Sequence, residues 1–520
     1  MKTKLVFFLA LTLYCCPIYA QYWYLKYLSS KNFGSQYDVE TYDKGFCLSA
    51  WSWKPIEGVI MKTDVNGNVL WQRVIGNLQD SATIGGICNT SDGGIAIFGE
   101  IERSVDSTGA EYMDYYLLKL NPCGEKDWNK IYRCASLDGN LCQVQQLKDK
   151  SYIFYADIYG NISDYKCAIC KVDSVGNLLW QNYNLMTPKN MFIDSSGNAI
   201  VTGNVIDFYP KPGNDRLLHS DMIKTTQSGK QIFDEWYDPA KQIGCDGWAS
   251  QPTPDKGYLT IAAKGIPGSQ RFVLFVIKSD SVGTGVWNKV AGDTTTLEYP
   301  FDMCRASSTT YIVAAQQADS NNIYNTKMLF EKIDTGGNVL KRVIYNTLMT
   351  PYKINNTSDG KFIVAGGEDN TAGAVVALKL NSDLGIDSFY HVRYQYDYLC
   401  PNPVKKTDTI TIKGADTVHL RIPVYRLGIV PKQSIDSDGF LVYPNPANNK
   451  VSISVSGLHF GSAQCNIYDM LGDKVQYCNL FSGSFGNLTQ TIDISGLVSG
   501  VYFIEIVQAN MRYAQKIIVE

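Results

Sequence analysis

Lys62-Thr-Asp-Val-Asn-Gly67-Asn-Val-Leu-Trp71 joins two apolar runs through a tight turn, and its pattern returns along the whole chain. A lysine is followed by polar residues and, five positions on, by glycine: Lys119 to Gly124, Lys171 to Gly176, Lys224 to Gly229, Lys278 to Gly283 and Lys332 to Gly337. A last copy, Lys379 to Gly385, carries one extra residue. Successive lysines lie 57, 52, 53, 54, 54 and 47 residues apart, about 53 on average. A period of that size marks a repeat architecture, in which each unit buries an apolar face on its neighbour.

Each unit reads as four strands. An apolar run such as Ile95-Ala-Ile-Phe-Gly99 is the first, and the strand entering the lysine motif is the second. The third follows the turn and often carries tryptophan, as at Trp71, Trp128, Trp180 and Trp287. A fourth, such as Ala82 to Thr90, leads through Ser91-Asp-Gly-Gly94 into the next unit. Asn66-Gly67 and Asp92-Gly93 supply the positive φ that tight hairpins require. Four strands in about fifty residues, repeated radially, is the arithmetic of a β-propeller blade. First strands begin near Phe46, Ile95, Tyr152, Ala199, Tyr258, Tyr311 and Phe362, so seven blades are expected. The seventh unit lacks a fourth strand, while Tyr22 to Tyr42 reads as a third and fourth without a first and second. Joining these ends gives a composite closing blade and removes exposed sheet edges.

The chain of 520 residues is long enough for two or three domains with full cores. A net charge of −3 provides no basic field, which argues against nucleic acid as a partner. Forty-four glycines and 34 tyrosines, without long helical periodicity, fit an all-β protein. Met1 to Ala20 has Lys2 and Lys4, an apolar core from Leu5 to Leu13, and Ala20 before Gln21, the pattern of a cleaved secretory signal. No other stretch has the length and apolarity of a transmembrane helix. Twelve of the 14 cysteines lie beyond this signal, in a compartment that permits disulfides.

The other end of the chain carries four features in order: Tyr443-Pro444-Asn445-Pro446-Ala447, an Ile-Tyr-Asp-x-x-Gly hairpin from Ile467 to Gly472, the run Leu497 to Ile504 around Gly500, and Lys516-Ile-Ile-Val-Glu520. This series resembles the C-terminal sorting domain of the type IX secretion system of Bacteroidota. The resemblance implies an Ig-like β-sandwich over residues 440–520 that engages the secretion machinery. It also implies export across the outer membrane, then release or attachment at the cell surface. The expected organisation is a signal at 1–20, a propeller at 21–386, a β-rich linker at 387–439 and the sorting domain. The Gly-x-x-x-Trp ending, as in Gly67 to Trp71, resembles the tryptophan-docking repeat of quinoprotein-like propellers. That likeness concerns shape alone, because the one adjacent cysteine pair, Cys15-Cys16, lies in the signal. The tryptophans themselves read as wedges between blades.

Chemistry is sparsely signalled. His219, His391, His419 and His459 are the only histidines, and none has the spacing of a zinc site. No nucleophile elbow, P-loop or dinucleotide fingerprint occurs. Asp64-Val-Asn-Gly-Asn68 begins like a calcium loop but places its glycine too early and lacks the closing glutamate. Cys167 and Cys170 sit three apart on a strand and so face opposite ways. No catalytic residue, metal or cofactor is expected, although paired carboxylates converge only in space. Cys465 with Cys478, symmetric about the Leu471-Gly472 turn, and Cys134 with Cys142, flanking Leu137 to Asn140, are candidate disulfides.

Loop lengths carry the functional reading. Second-to-third and fourth-to-first connections are tight turns on one face. The opposite face is expected to hold long connections: Trp51 to Gly58, Glu100 to Asp114, Asp157 to Asp164, Asn204 to Ser220 and Asp238 to Trp248. These bring Trp51, Trp53, Tyr112, Tyr159, Tyr209 and Trp248 to one side, to stack on sugars, to anchor a protein partner, or simply to pack loops onto blade ends. A glycan- or protein-binding propeller is the leading expectation. A polysaccharide-acting hydrolase and a structural envelope component are its rivals.

Overall fold

The computed structural model describes residues 24–388, 399–420 and 440–520, apart from 29–32, 54–55, 77–80, 106–110, 137–141, 160–164, 185, 208–216, 238–243, 267–268, 270, 320–321, 347–348, 369–373, 402–407, 456–460, 471, 483–487 and 509–510. The secretory signal at 1–20 therefore lies outside the described residues. The chain forms two compact units, 1–420 and 421–520. All described elements are strands, with no helix among them.

The first unit is propeller-like, with seven sheets of four or five strands. Each has the same plan, as in Cys245–Pro252, Tyr258–Gly265, Phe272–Ser279 and Gly285–Val290, paired antiparallel in that order. The strand ahead of each first strand belongs elsewhere than the sequence suggests, pairing with that first strand and not with the unit before it; Phe33–Glu40 accordingly joins Phe46–Trp53 in the first sheet. Gly86–Asn89, read as the fourth strand of its unit, pairs with Ile95–Val105 of the next. The tight Thr90-to-Gly94 turn decides this, because Thr90 N donates to Gly94 O and fixes that hairpin. At the other extreme of the repeat, Tyr24–Leu28 pairs antiparallel with Ala374–Leu380 and so supplies the outer strand of the seventh sheet.

The recurrent residues now have physical reasons. Lys62, Lys119, Lys171, Lys224, Lys278 and Lys379 each reach an aspartate of the preceding turn: Asp43, Asp92, Asp149, Asp194, Asp255 and Asp359, at 2.7 to 3.1 Å. In three of them the ammonium also donates to the next residue's carbonyl, as Lys62 does to Thr63 O. The lysine thus ties two turns at one end of each sheet and keeps a buried charge hydrogen-bonded. In the sixth unit Ser308 stands where the aspartate would be.

The motif glycine has a different duty. Gly124, Gly176, Gly229 and Gly337 all have positive φ, and a Cβ at each would come within 3.0 Å of the preceding unit's tryptophan ring. Trp71 Nε1 donates to Pro122 O at 3.2 Å, and Trp180 Nε1 to Gln227 O at 2.8 Å. Each tryptophan is therefore seated on the turn of the next unit. The cores lie between sheets, such as Cys167, Ile169, Val201 and Ile223 between the third and fourth.

Two strands assigned from sequence to a linker instead extend the first unit. Asp408–Ile410 pairs parallel with Val69–Ile75, and Asp416–His419 with Lys126–Ser136. Ile410 and Ile412 are buried in the core cluster shared by the first two sheets. A disulfide between Cys123 and Cys400 fastens the start of this strap. The cysteines paired in the sequence reading, Cys465 with Cys478 and Cys134 with Cys142, are not joined by disulfides here. Cys465 and Cys478 do stand directly opposite in register.

In the second unit a three-stranded and a four-stranded sheet enclose one core around Val451, Ile453, Ile467, Ile504 and Ile517. The Tyr443-to-Pro446 segment is stitched to the last strand. Asn445 Nδ2 donates to Lys516 O and Ile518 N donates to Asn445 Oδ1, both at 2.9 Å. Gly472 turns its hairpin at φ 84°, and Gly500 opens the strand that pairs with Met511–Val519.

Candidate functional site

Five leading strands share an irregularity. Register shifts fall between Ser35 and Tyr37, Pro188 and Asn190, Gly247 and Ala249, Pro300 and Asp302, and Pro351 and Lys353. The extra residues are Gln36, Lys189, Trp248, Phe301 and Tyr352. A bulge leaves one residue out of the ladder and re-aims its side chain.

Four of these side chains form a continuous arc across the fourth to seventh sheets. Lys189 Nζ lies 4.6 Å from the Trp248 ring centroid. Trp248 meets Phe301 edge-on at 5.3 Å, and Phe301 meets Tyr352 edge-on at 5.6 Å. Tyr299 fills the inner angle, 5.2 Å from Trp248 and 5.8 Å from Phe301. Asp246 pins the polar tips from behind, accepting from Trp248 Nε1 at 3.1 Å, Tyr299 Oη at 2.8 Å and Asn204 Nδ2 at 2.5 Å. Burial and the Asp246 carboxylate push the Tyr299 hydroxyl well above its usual range, so it remains a donor. Lys189, Trp248, Tyr299 and Phe301 are half-buried, and Tyr352 is exposed.

After four of the five bulges, the next residue or one or two further joins a polar hub. Asp302 accepts from Asn190 Nδ2 at 2.9 Å and Ile354 N at 3.0 Å, and pairs with Lys353 at 3.2 Å. The Asn190 bond runs from the fourth sheet to the sixth. Asn355 Nδ2 donates to Asp38 O and Oδ1, linking the seventh sheet to the first. Asp38 Oδ2 is buried without a hydrogen-bond partner. Burial pushes the Asp38 carboxyl up to about 8; the Asn355 bond and Lys353 oppose this, and Asp302 adds to it. At neutral pH the hub thus holds a protonated Asp38, while the Asp302 carboxylate oxygens already accept from Asn190, Ile354 and Lys353.

Of the residues singled out from sequence, Trp248 belongs to this arc. Trp51, Trp53, Tyr112 and Tyr159 lie at hairpin ends, opposite Gly58, Ile56, Ser104 and Tyr165; their side chains lie outside the described residues. Tyr209 lies outside them altogether. Two of the connections expected to be long loops are mostly strand, since cross-strand pairs extend their hairpins: Trp51 to Gly58 leaves only 54–55 between strands, and Glu100 to Asp114 only 106–110; most of each of the other three lies outside the described residues. Lys189, Tyr299, Phe301 and Tyr352 were missed. Their signal was present as Pro188-Lys-Asn190, Pro300-Phe-Asp302 and Pro351-Tyr-Lys353, triplets at one or two repeat lengths. Among the described residues no group of three or more metal-ligating side chains has the geometry to hold a metal ion.

Residues 441–520 match the family model of the secretion system C-terminal sorting domain. No curated protein matches the chain. Among solved structures, an ulvan lyase of a polysaccharide lyase family is 9% identical at a TM-score of 0.47, with 69% of this chain and 96% of that one covered. The β-propeller domain of the Trilobed protease of Pyrococcus furiosus is 8% identical at a TM-score of 0.40, with 73% and 99% covered. A prolyl endopeptidase is 10% identical at 0.41, with 70% and 50% covered. These proteins differ among themselves in activity, and the likeness transfers none of it. The sorting domain directs the chain to the type IX secretion machinery, and hence to the cell surface or the medium.

Proposed function

We propose that this exported protein is a glycan-binding β-propeller of seven four-stranded blades, closed by the pairing of its N-terminal strand with the seventh sheet. Four hydrogen bonds between the first and seventh sheets support the closure: two from Asn355 to Asp38 and two from Ser358 to Glu40. The observation that carries the binding reading is the arc of bulge residues. Repeated bulges spend register on aiming aromatic rings to one place, and rings beside polar donors are what a sugar needs. Asp302, with its oxygens already engaged, is poorly placed as a base, so no catalytic residue is assigned. A protein ligand would use the same arc.

Replacing Trp248 or Phe301 by alanine is expected to weaken glycan binding about 30-fold, the loss typical of a buried aromatic anchor. Calorimetry against the best hit from a glycan array would check this, with Trp180→Ala as a control because Trp180 faces a neighbouring turn. Equal affinity for the Trp248 variant and the parent would refute the assignment.

A further inference from the structure

Resting on that reading, we infer that the ligand is an acid-bearing sugar, a uronate or a sulfate ester, and that Lys189 selects it. The other charged groups around the arc are already engaged. Asp246 is engaged by three donors, and Lys353 is paired with Asp302. Lys189 differs: no carboxylate among the described residues lies within ion-pair distance of its Nζ. It occupies the bulge position that holds an aromatic ring in the next three sheets, which places one cation at the end of a row of rings. A sugar stacked along the rings would present its acid group there, and a charge-assisted bond in a half-buried site adds selectivity.

Oligogalacturonate and its carboxyl-reduced counterpart differ only at C6, a carboxylate against a hydroxymethyl group, and sulfated and desulfated dextran form a second matched pair. The acidic member should bind at least tenfold tighter. Lys189→Met, which keeps the apolar stem, should bring the two members of each pair to the same affinity. Equal affinity within both pairs, or an unchanged ratio in Lys189→Met, would overturn this inference and leave glycan binding standing. Binding to no glycan on a broad array would overturn both.

A second inference stands apart from the arc. In the strand entering the lysine motif, six units place Val59, Tyr116, Ala168, Phe275, Leu329 and Val376 three residues before the lysine; the fourth places Asp221. Asp221 is 1% exposed, and neither carboxylate oxygen has a hydrogen-bond partner. Asp234 lies diagonally across the strand pair on the same face, its Oδ1 also buried and unpartnered. Asp157, Cys167 and Asn184 of the third sheet face them, with Glu235 nearby. No cationic group is among these neighbours. Two adjacent carboxylates in such a place cannot both ionise. We propose that Asp221 and Asp234 share a proton and form a pH-sensitive joint between the third and fourth sheets.

Burial, then the charge of Asp234, holds the Asp221 carboxyl far above its usual range; burial raises Asp234, and its contact with Asp221 opposes this. The folded state therefore keeps a proton that the unfolded chain releases near pH 4, and stability falls as pH rises above that value. Thermal melts of the full chain from pH 5 to 9 should show this fall. Asp221→Asn, similar in shape and uncharged, should flatten it, although Asp38 and Glu331 contribute a residual slope. An unchanged slope in the variant would overturn the proposal. So would a rise in melting temperature with added calcium that the variant lacks, which would mark a cation site instead.

Discussion

Removing residues 441–520 is expected to abolish delivery of the protein outside the cell, leaving the remainder cell-associated behind the outer membrane. The excised part has its own two sheets and its own core, from Val442 to Val519. Its recognisable pieces are brought together by the fold, since Asn445 is bonded to the strand bearing Lys516 and Ile518. The propeller-like unit keeps its inter-sheet cores without it, because none of their described residues comes from beyond 420. Immunoblots of fractionated cells expressing full-length and truncated chains would check this. Truncated protein in the medium or on the surface at parental levels would sink it. Circular dichroism of the retained protein would confirm that delivery, not folding, was lost.

Arg342→Met is expected to destabilise the first unit by about 3–5 kcal/mol at neutral pH, the usual result of stripping the partner from buried charges. Arg342 bridges Glu331 and Glu298, whose side chains are 0% exposed. Glu298 has further donors in Asp293 N, Thr296 and Gln317, whereas Glu331 Oε2 is buried without a partner. Burial pushes Glu331 up to about 7 even with the arginine present; Arg342 opposes the shift and Glu298 adds to it. The folded chain therefore binds this proton more tightly than the unfolded one. Stability from the group is full below about pH 4.5 and declines as pH rises toward 7. Without Arg342 the Glu331 carboxyl is pushed higher still, so the variant should lose most at pH 8 and regain much of its deficit at pH 5. Urea denaturation at the two values would show it; an equal deficit at both would contradict the account.

The repeat was legible because its determinants are local. A turn needing positive φ must have glycine, and a tight hairpin fixes where strands end. The strand from Gly86 to Asn89 was misassigned because periodicity marks a strand without naming the neighbour it pairs with. The strap was misread for a related reason. Asp408–Ile410 and Asp416–His419 read as strand-like, but their partners lie some 280 to 340 residues earlier. The Cys123–Cys400 pairing follows from the same docking, and no spacing rule reaches across 277 residues.

Sequence by itself determined the period, the all-β class, the lysine and glycine turns and the sorting address, since each is written in short motifs whose residues lie within a few positions of one another. Only the tertiary structure decided which charges neutralise which, that bulges align Lys189, Trp248, Phe301 and Tyr352 into one arc, and that Asp221 meets Asp234 where six other units are apolar. Those outcomes depend on the lateral packing of strands some fifty residues apart. A one-residue slip in register redirects every side chain on a strand. Whether an aromatic faces solvent, a neighbouring sheet or a ligand is therefore set by the sheet it joins and not by its own segment.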